Sequence, residues 1–289
     1  MYPKLLILIA FPFLLAFKSD KPAYIIHTAG GKTITYDRMV SELLKYDVVF
    51  FGELHNDPIA HWLQIEMTES FFAEKGTSLK LAAEMFETDN QLIIDEYLGG
   101  SIKESNFEAE VKLWKNYQTD YKPALTFAKN NGLKYIASNV PRRYAAMVAS
   151  GGFEALEKLN QESKAYFAPM PFEYDPEVKC YKDMLSMGGG AMGSHANTNL
   201  PKAQALKDVT MAWSISRFYN KGDMVFHFNG SYHSNRHEGI VWYLKRFNPE
   251  LKIAVINLVS ETDPEKLSDE NAATADFIIA VPSKMTKTY

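Results

Sequence analysis

Val48-Val49-Phe50-Phe51-Gly52-Glu53-Leu54-His55 is a run of β-branched and aromatic residues that closes on a glycine and two polar side chains. A short run of this kind, bounded by Gly and followed by a helix, reads as a buried strand of a parallel sheet. The helix signal is Asp57-Pro58, an N-cap residue with proline in the first turn. Behind it, Ile59, Trp62, Leu63, Met67, Ser70 and Phe71 keep one face mostly apolar at helical spacing. Two more stretches place polar groups just after apolar strands: Leu79-Lys80-Leu81-Ala82-Ala83-Glu84 and Val225-Phe226-His227-Phe228-Asn229-Gly230-Ser231-Tyr232-His233. Ligands of parallel sheets bind outside the carboxyl ends of the strands. Glu53, His55, Glu84 and His233 are therefore expected in one crevice, far apart though they lie in the chain.

Working outward, strands are expected at 133–138, 253–259 and 276–281. Helices are expected at 88–98, 104–117, 123–130, 201–219 and 238–247. Tyr24-Ile25-Ile26 and Thr33-Ile34-Thr35 flank the turn-rich Ala29-Gly30-Gly31-Lys32 and read as a hairpin. Gly31-Lys32-Thr33 is no phosphate loop, because Ile26 stands where the first glycine is required. The alternation predicts an α/β protein, a three-layer fold with a mostly parallel central sheet. Residues 166–199 break the pattern. They are rich in Met, Phe, Tyr, Gly and Pro, and include Met184, Met187, Gly188-Gly189-Gly190, Met192 and His195. Met-rich surfaces adapt to flat apolar ligands and glycine runs let a lid move, so a helical, Met-rich insert or cap is expected. A cap packed permanently over the sheet is the alternative.

With 289 residues, 46% of them apolar, the chain can bury a full core in one domain over residues 20–289. A formal charge of −4 gives no basic footprint, so no nucleic-acid partner is expected. Residues 1–19 read as a signal peptide: Lys4 precedes an apolar run from Leu5 to Phe17 that is too short for an ordinary membrane span. Export to the periplasm or envelope is expected, with an uncleaved N-terminal anchor as the alternative. No Cys lies near this segment, so a bacterial lipid anchor has no attachment point. Cys180 is the only cysteine, which excludes an internal disulfide and covalent c-type haem attachment; it reads as a small buried residue.

Glu and His are the right types for proton transfer or metal binding. Glu53 and His55 are two apart, so an extended strand would point both the same way, a parity that a tight turn can undo. A carboxylate closing an apolar strand, as Glu84 does, is costly unless partnered; loop amides or a ligand could supply the partner. Asn139-Val140-Pro141-Arg142-Arg143 brings a guanidinium toward the same edge, to bind an anion or to pair with Glu84 or Glu53. His233 and His237 would share a face if helical, but the Glu of His-Glu-x-x-His is missing. His227, alternating within an apolar strand, reads as a core residue, and the direction of His61 is open. Neither a Gly-x-Ser-x-Gly elbow nor a Rossmann glycine fingerprint is present.

Gly52-Glu53-Leu54-His55 with His61 and Gln64, Glu84-Met85-Phe86, Asn139-Val140-Pro141-Arg142, Asp208 with Met211-Ala212, Gly230-Ser231-Tyr232-His233 and Gly239-Ile240 together resemble the ChaN-like haem-binding uptake proteins. The resemblance runs from about residue 46 to Val281. That family is similar to Tiki proteases, TraB-type proteins and erythromycin-esterase-like enzymes in its paired Gly-x-x-His motifs and strand-end Glu. The resemblance implies an exported protein of haem and iron uptake, with an outer-membrane haem receptor as a further partner and a homodimer left open. It also implies that a Tyr phenolate ligates the iron, which suits ferric haem. Tyr181, Tyr174 and Tyr232 are the candidates, with His55, His195, Met184 and Met187 as further haem contacts. Members are often lipoproteins, from which this chain departs in lacking the lipobox Cys. The wider group implies an alternative, a hydrolase in which His55, Glu84 and His233 hold one divalent metal ion with an open position for water. Glu53 or Glu84 would then serve as general base and Arg142 would stabilise the oxyanion; the same groups could also act on water without metal. A non-catalytic exported binding module is the third reading.

Overall fold

The computed structural model describes residues 21–188 and 199–289. Among these, eight strands form one sheet: β1 (Ile25–Thr28), β2 (Thr33–Ile34), β3 (Val48–Glu53), β4 (Leu79–Glu87), β5 (Lys134–Asn139), β6 (Met224–Gly230), β7 (Ile253–Glu261) and β8 (Phe277–Pro282). Their order is β2-β1-β8-β7-β3-β6-β4-β5. From β8 to β5 every pairing is parallel, and only the β1–β2 hairpin is added antiparallel, at the β8 edge. The fold is the mostly parallel α/β architecture that the alternation predicts.

The helices are α1 (Tyr36–Leu43), α2 (Pro58–Lys75), α3 (Gln91–Leu98), α4 (Glu104–Glu110), α5 (Lys122–Asn131), α6 (Arg142–Gly151), α7 (Gln161–Lys164), α8 (Lys179–Gly188), α9 (Leu200–Phe218) and α10 (Ile240–Phe247). Strand parity divides the core in two. Val49 and Phe51 of β3 pack with residues of α1 to α5, while Val48 and Phe50 pack with α8, α9 and α10 on the other face. All residues of β3 and β6 are buried, as expected of strands covered on both sides. Asp57 caps α2 as its sequence predicts, its Oδ1 accepting from the Ile59 and Ala60 amides at 3.0 and 3.4 Å.

After β3 the chain crosses to β4 and β5, then returns to lay β6 between β3 and β4 and β7 on the far side of β3. This reversal opens a crevice at the carboxyl ends of β3, β6 and β4. Two departures from the sequence expectation shape it. The helix expected at 104–117 stops at Glu110: Val111 turns extended (φ −82°, ψ 134°) and is buried, with Leu113 and Trp114 packed on the core. Apolar burial of these three outweighs one more helical turn, and a single π-turn, Tyr117–Tyr121, follows. In addition, β4 shifts register against β5 between Ala83 and Glu87, where four steps on β4 match two on β5 (Ala137 to Asn139). The bulge lies at Glu84 to Phe86, next to the crevice.

Within the expected insert, α8 is helical and residues 166–178 run irregularly into it. Residues 189–198, with Met192 and His195, lie outside the described residues, as does the side chain of Met187.

Gly52 has a steric reason to be glycine. A Cβ there would lie 2.9 Å from Ser231 Cα and 3.2 Å from the Ile256 carbonyl oxygen, both backbone atoms that cannot rotate away. Gly52→Ala should therefore lower the unfolding free energy by about 1–3 kcal/mol in urea titrations. Gly30→Ala in the hairpin turn, where only Thr28 Oγ1 at 3.9 Å comes near, should change it by less than about 0.5 kcal/mol. Equal stabilities of the two variants would refute this account of Gly52.

Candidate functional site

The site is built on three strand ends. Glu53 closes β3 and is almost wholly buried. Its Oε1 accepts from His55 Nδ1 at 2.9 Å and from the Tyr121 hydroxyl at 2.8 Å, and its Oε2 from Gln64 Nε2 at 2.5 Å. Four groups of the surrounding shell thus converge here: Tyr121 from the π-turn, Gln64 from α2, His55, and His61, whose Nδ1 stands 3.8 Å from Oε2. His61 Nε2 also lies 3.2 Å from the His55 carbonyl and 3.3 Å from Asp120, so this histidine faces inward. The His55 ring packs edge-on against Trp114, 4.9 Å between centroids, and its side chain is one-third exposed. Burial pulls the His55 imidazole down, but the Glu53 hydrogen bond and the charges of Glu84 and Glu53 leave it raised overall.

The second element is a buried row of charges. His233 Nε2 lies 3.2 Å from Glu84 Oε1, and His233 Nδ1 lies 2.5 Å from Asp208 Oδ1. The Gly230 amide donates to Glu84 Oε2 at 2.8 Å, and the Tyr181 hydroxyl donates to Asp208 Oδ2 at 2.8 Å. An imidazole facing a carboxylate at each nitrogen is stable there as the imidazolium, with both N–H groups donating. Burial alone would depress His233, but Glu84 and Asp208 outweigh it and push the ring up to about 9. For Glu84, burial raises the pKa, but the His233 charge and hydrogen bond, His55 and the Gly230 amide hold it well below the usual carboxylate range. Asp208, where burial prevails over His233, stays above its ordinary value.

The two Gly-x-x-His segments interlock. β3 and β6 pair in register with Gly52 opposite Asn229 and Glu53 opposite Gly230. A Cβ on Gly230 would stand 2.8 Å from His55 Nε2 and 2.9 Å from its Cε1, just as a Cβ on Gly52 would strike Ser231. Each glycine therefore makes room for the other motif.

Above this floor opens a cavity of about 960 Å³ that Glu53, His55, Glu84, Arg142, Tyr232 and His233 all line. Its walls include Leu54, Leu113, Trp114, Val140, Tyr232 and Tyr289, and Lys115, Arg142 and Lys207 line it as well. Arg142 ion-pairs through Nε with Glu87, correcting the expected pairing with Glu84 or Glu53; the β4 register shift matches Glu87 to Asn139 beside Arg142. Of the tyrosines singled out from sequence, Tyr232 lines the cavity and donates to the Cys180 carbonyl at 3.1 Å. Tyr181 does not line it; its ring is fully buried and its hydroxyl is committed to Asp208. Tyr174 is half-buried against Phe153 and Tyr181, and Met184 is half-buried on α8. Cys180 is buried, as its sequence context suggests.

His227 is a satisfied core residue, 2.9 Å from Ser138 Oγ and 3.0 Å from Asn229 Oδ1, and burial pushes it down to about 4. His237 turns away to Asp276 at 3.0 Å, because Arg236 and His237 take positive φ (57° each) and break the helix that would have aligned it with His233. Among the described residues, no three His, Cys, Asp or Glu side chains are grouped so as to hold a metal ion. His55, Glu84 and His233, expected as ligands around an ion, bond to Glu53, the Gly230 amide and Asp208 respectively.

Sequence reasoning missed Trp114, Lys115, Tyr289, Gln204 and Lys207. The last two carried a usable signal: Gln204, Lys207 and Asp208 stand at i, i+3 and i+4 on α9, and Asp208 touches His233. Tyr289 is brought in by the tail, where Lys287 reaches Asp57 at 2.8 Å and Thr288 donates its amide to the Asn56 carbonyl at 2.9 Å and its hydroxyl to Asp120 at 3.0 Å.

The charge row gives stability a defined pH dependence. His233 is raised from its ordinary 6.5 to about 9, so its contribution is complete below pH 6.5 and is lost as the pH rises through 9. Urea titrations should show unfolding free energy falling across that window by on the order of 3 kcal/mol, with His233→Gln flattening the fall. An unchanged slope in that variant would remove His233 as its source.

A family described as haem-binding uptake, Tiki superfamily, ChaN matches residues 39–244. The structure reported for cofacial heme binding to ChaN of Campylobacter jejuni superposes with a TM-score of 0.68 at 19% identity, covering 89% of this chain and 96% of that one. Protein RETICULATA-RELATED 5, chloroplastic, of Arabidopsis thaliana is 27% identical over 139 residues, which span 46% of this chain but only 18% of that protein. With the family match extending over most of its length, this chain belongs to the ChaN-type haem-binding uptake family of the Tiki superfamily.

Proposed function

We propose that this protein binds haem in the strand-end crevice and serves haem or iron uptake, exported by way of residues 1–19. The observation that carries the reading is the composition of the cavity: aromatic and aliphatic walls over a polar floor, with cationic side chains among its lining residues. Haem needs that combination, being a flat apolar macrocycle with two carboxylates. Tyr232 is the preferred iron ligand, because of the three tyrosines expected from sequence it is the one lining the cavity, and Tyr289 shares the wall. Burial raises the Tyr232 phenol, so ligation would be accompanied by loss of its proton. Residues 1–20 are outside the described residues, and among the others no helix is long and apolar enough to cross a membrane. An outer-membrane haem receptor and a second copy of the chain are the partners this role calls for.

Hemin titration of the purified mature chain should give a saturable, shifted Soret band with a phenolate-to-iron charge-transfer feature. Tyr232→Phe should remove that feature, and Tyr289→Phe should change it less. If both variants keep the wild-type spectrum, the ligand lies elsewhere; if hemin does not saturate, the haem reading fails.

One observation favours a second reading, metal-independent hydrolysis. His55 is oriented by the buried Glu53 through Nδ1 and lines the cavity, the arrangement of a general base acting on water. Screening activated esters and lactones should then reveal a turnover that His55→Ala lowers by about 100-fold or more. Turnover indifferent to that change would dismiss it.

A further inference from the structure

We infer that Lys115 and Lys207 form a two-point clamp for the carboxylates of the ligand, and that the crevice thereby selects a dianionic amphiphile and sets which edge enters first. This rests on the haem reading and deepens it. The floor is rich in buried acids: Glu53, Glu84 and Asp208 lie under the cavity with His233 and His55 among them. A ligand carboxylate pushed down to that floor would meet like charge in a poorly solvated place. Its acidic groups are therefore held at the lysines, with the apolar edge inward.

Besides the buried His233 imidazolium, two lysines and one arginine line the cavity, and their commitments differ. Arg142 gives its Nε to Glu87, which offsets its charge. Lys115 and Lys207 have no carboxylate partner among the described residues, although Lys207 is half-buried. Some half-buried lysines are paired with carboxylates, Lys80 with Asp223, Lys134 with Asp95 and Lys287 with Asp57, but these do not line the cavity. Lys115 is not idle, since its ammonium sits 3.5 Å from the Tyr289 ring centroid, which keeps it over the cavity wall without neutralising it. The two lysines also rise from opposite layers. Lys115 follows Leu113 and Trp114, which pack on the α1 to α5 face, whereas Lys207 belongs to α9 on the other face. Both line the crevice, one from each layer packed on the sheet.

The test compares hemin with its dimethyl ester, which keeps the macrocycle and iron but lacks both acids. Wild-type protein should bind hemin about tenfold or more tightly than the ester, since hydrogen bonds to charged groups add on the order of 10-fold each. Lys115→Gln and Lys207→Gln should each reduce that ratio, and the double variant should bring it close to one while keeping its affinity for the ester. Lys112→Gln, an exposed lysine that does not line the cavity, should leave the ratio unchanged. Hemin binding with equal affinity for the ester, or a ratio that survives the double variant, overturns the clamp alone. Failure of wild-type protein to bind either compound overturns the haem reading, and the clamp with it.

Discussion

An imidazolium held between two buried carboxylates is the constraint on which the site depends. Charges this deep are tolerated only when paired and fully hydrogen-bonded. His233 meets that condition by spanning Glu84 on β4 and Asp208 on α9, while Gly230 and Tyr181 saturate the outer oxygens. The row thus ties β4, α9 and the turn after β6 into one unit. Glu53 performs a parallel task on the other side of the crevice, gathering His55, Gln64 and Tyr121 around one carboxylate. The two clusters form a rigid floor, which leaves ligand contact to the walls above.

That separation of floor from walls decides how the family's haem chemistry can be carried here. An acidic, hydrogen-bonded floor suits proton handling and is a poor resting place for a propionate. Walls of Trp114, Tyr232 and Tyr289 suit a flat macrocycle, and the lysines between them suit its acids. A basin of this kind is equally the frame of a hydrolase, in which His55 would act on water instead of guarding the floor. The same residues support both because a histidine oriented by a buried carboxylate is useful in either chemistry.

Much of this was legible in the sequence. Glu53, His55, Glu84 and His233 each follow an apolar run, and parallel topology gathers the carboxyl ends of such runs on one side of the sheet. Periodicity locates strands and most helices for the same reason, since burial on two faces demands unbroken apolar stretches. The rest was decided by tertiary packing. Nothing in Glu104–Tyr117 announces that Val111 will leave the helix, yet that departure carries Trp114 and Lys115 to the crevice. Arg142 finds Glu87 because of a bulge with no composition signature, and His237 is turned aside by two positive φ angles at residues that rarely adopt them. Tyr181 is conspicuous in an irregular, Met-rich segment, but its partner Asp208 draws it into the core.

The interlocked glycines make two distant segments a single heritable object. Gly230 can acquire a side chain only if the His55 ring moves aside, and Gly52 only if the backbone at Ser231 retreats. A side chain at either glycine therefore demands an accommodating shift in the other segment. Grafting either segment alone onto a different sheet would transfer the residues without the site.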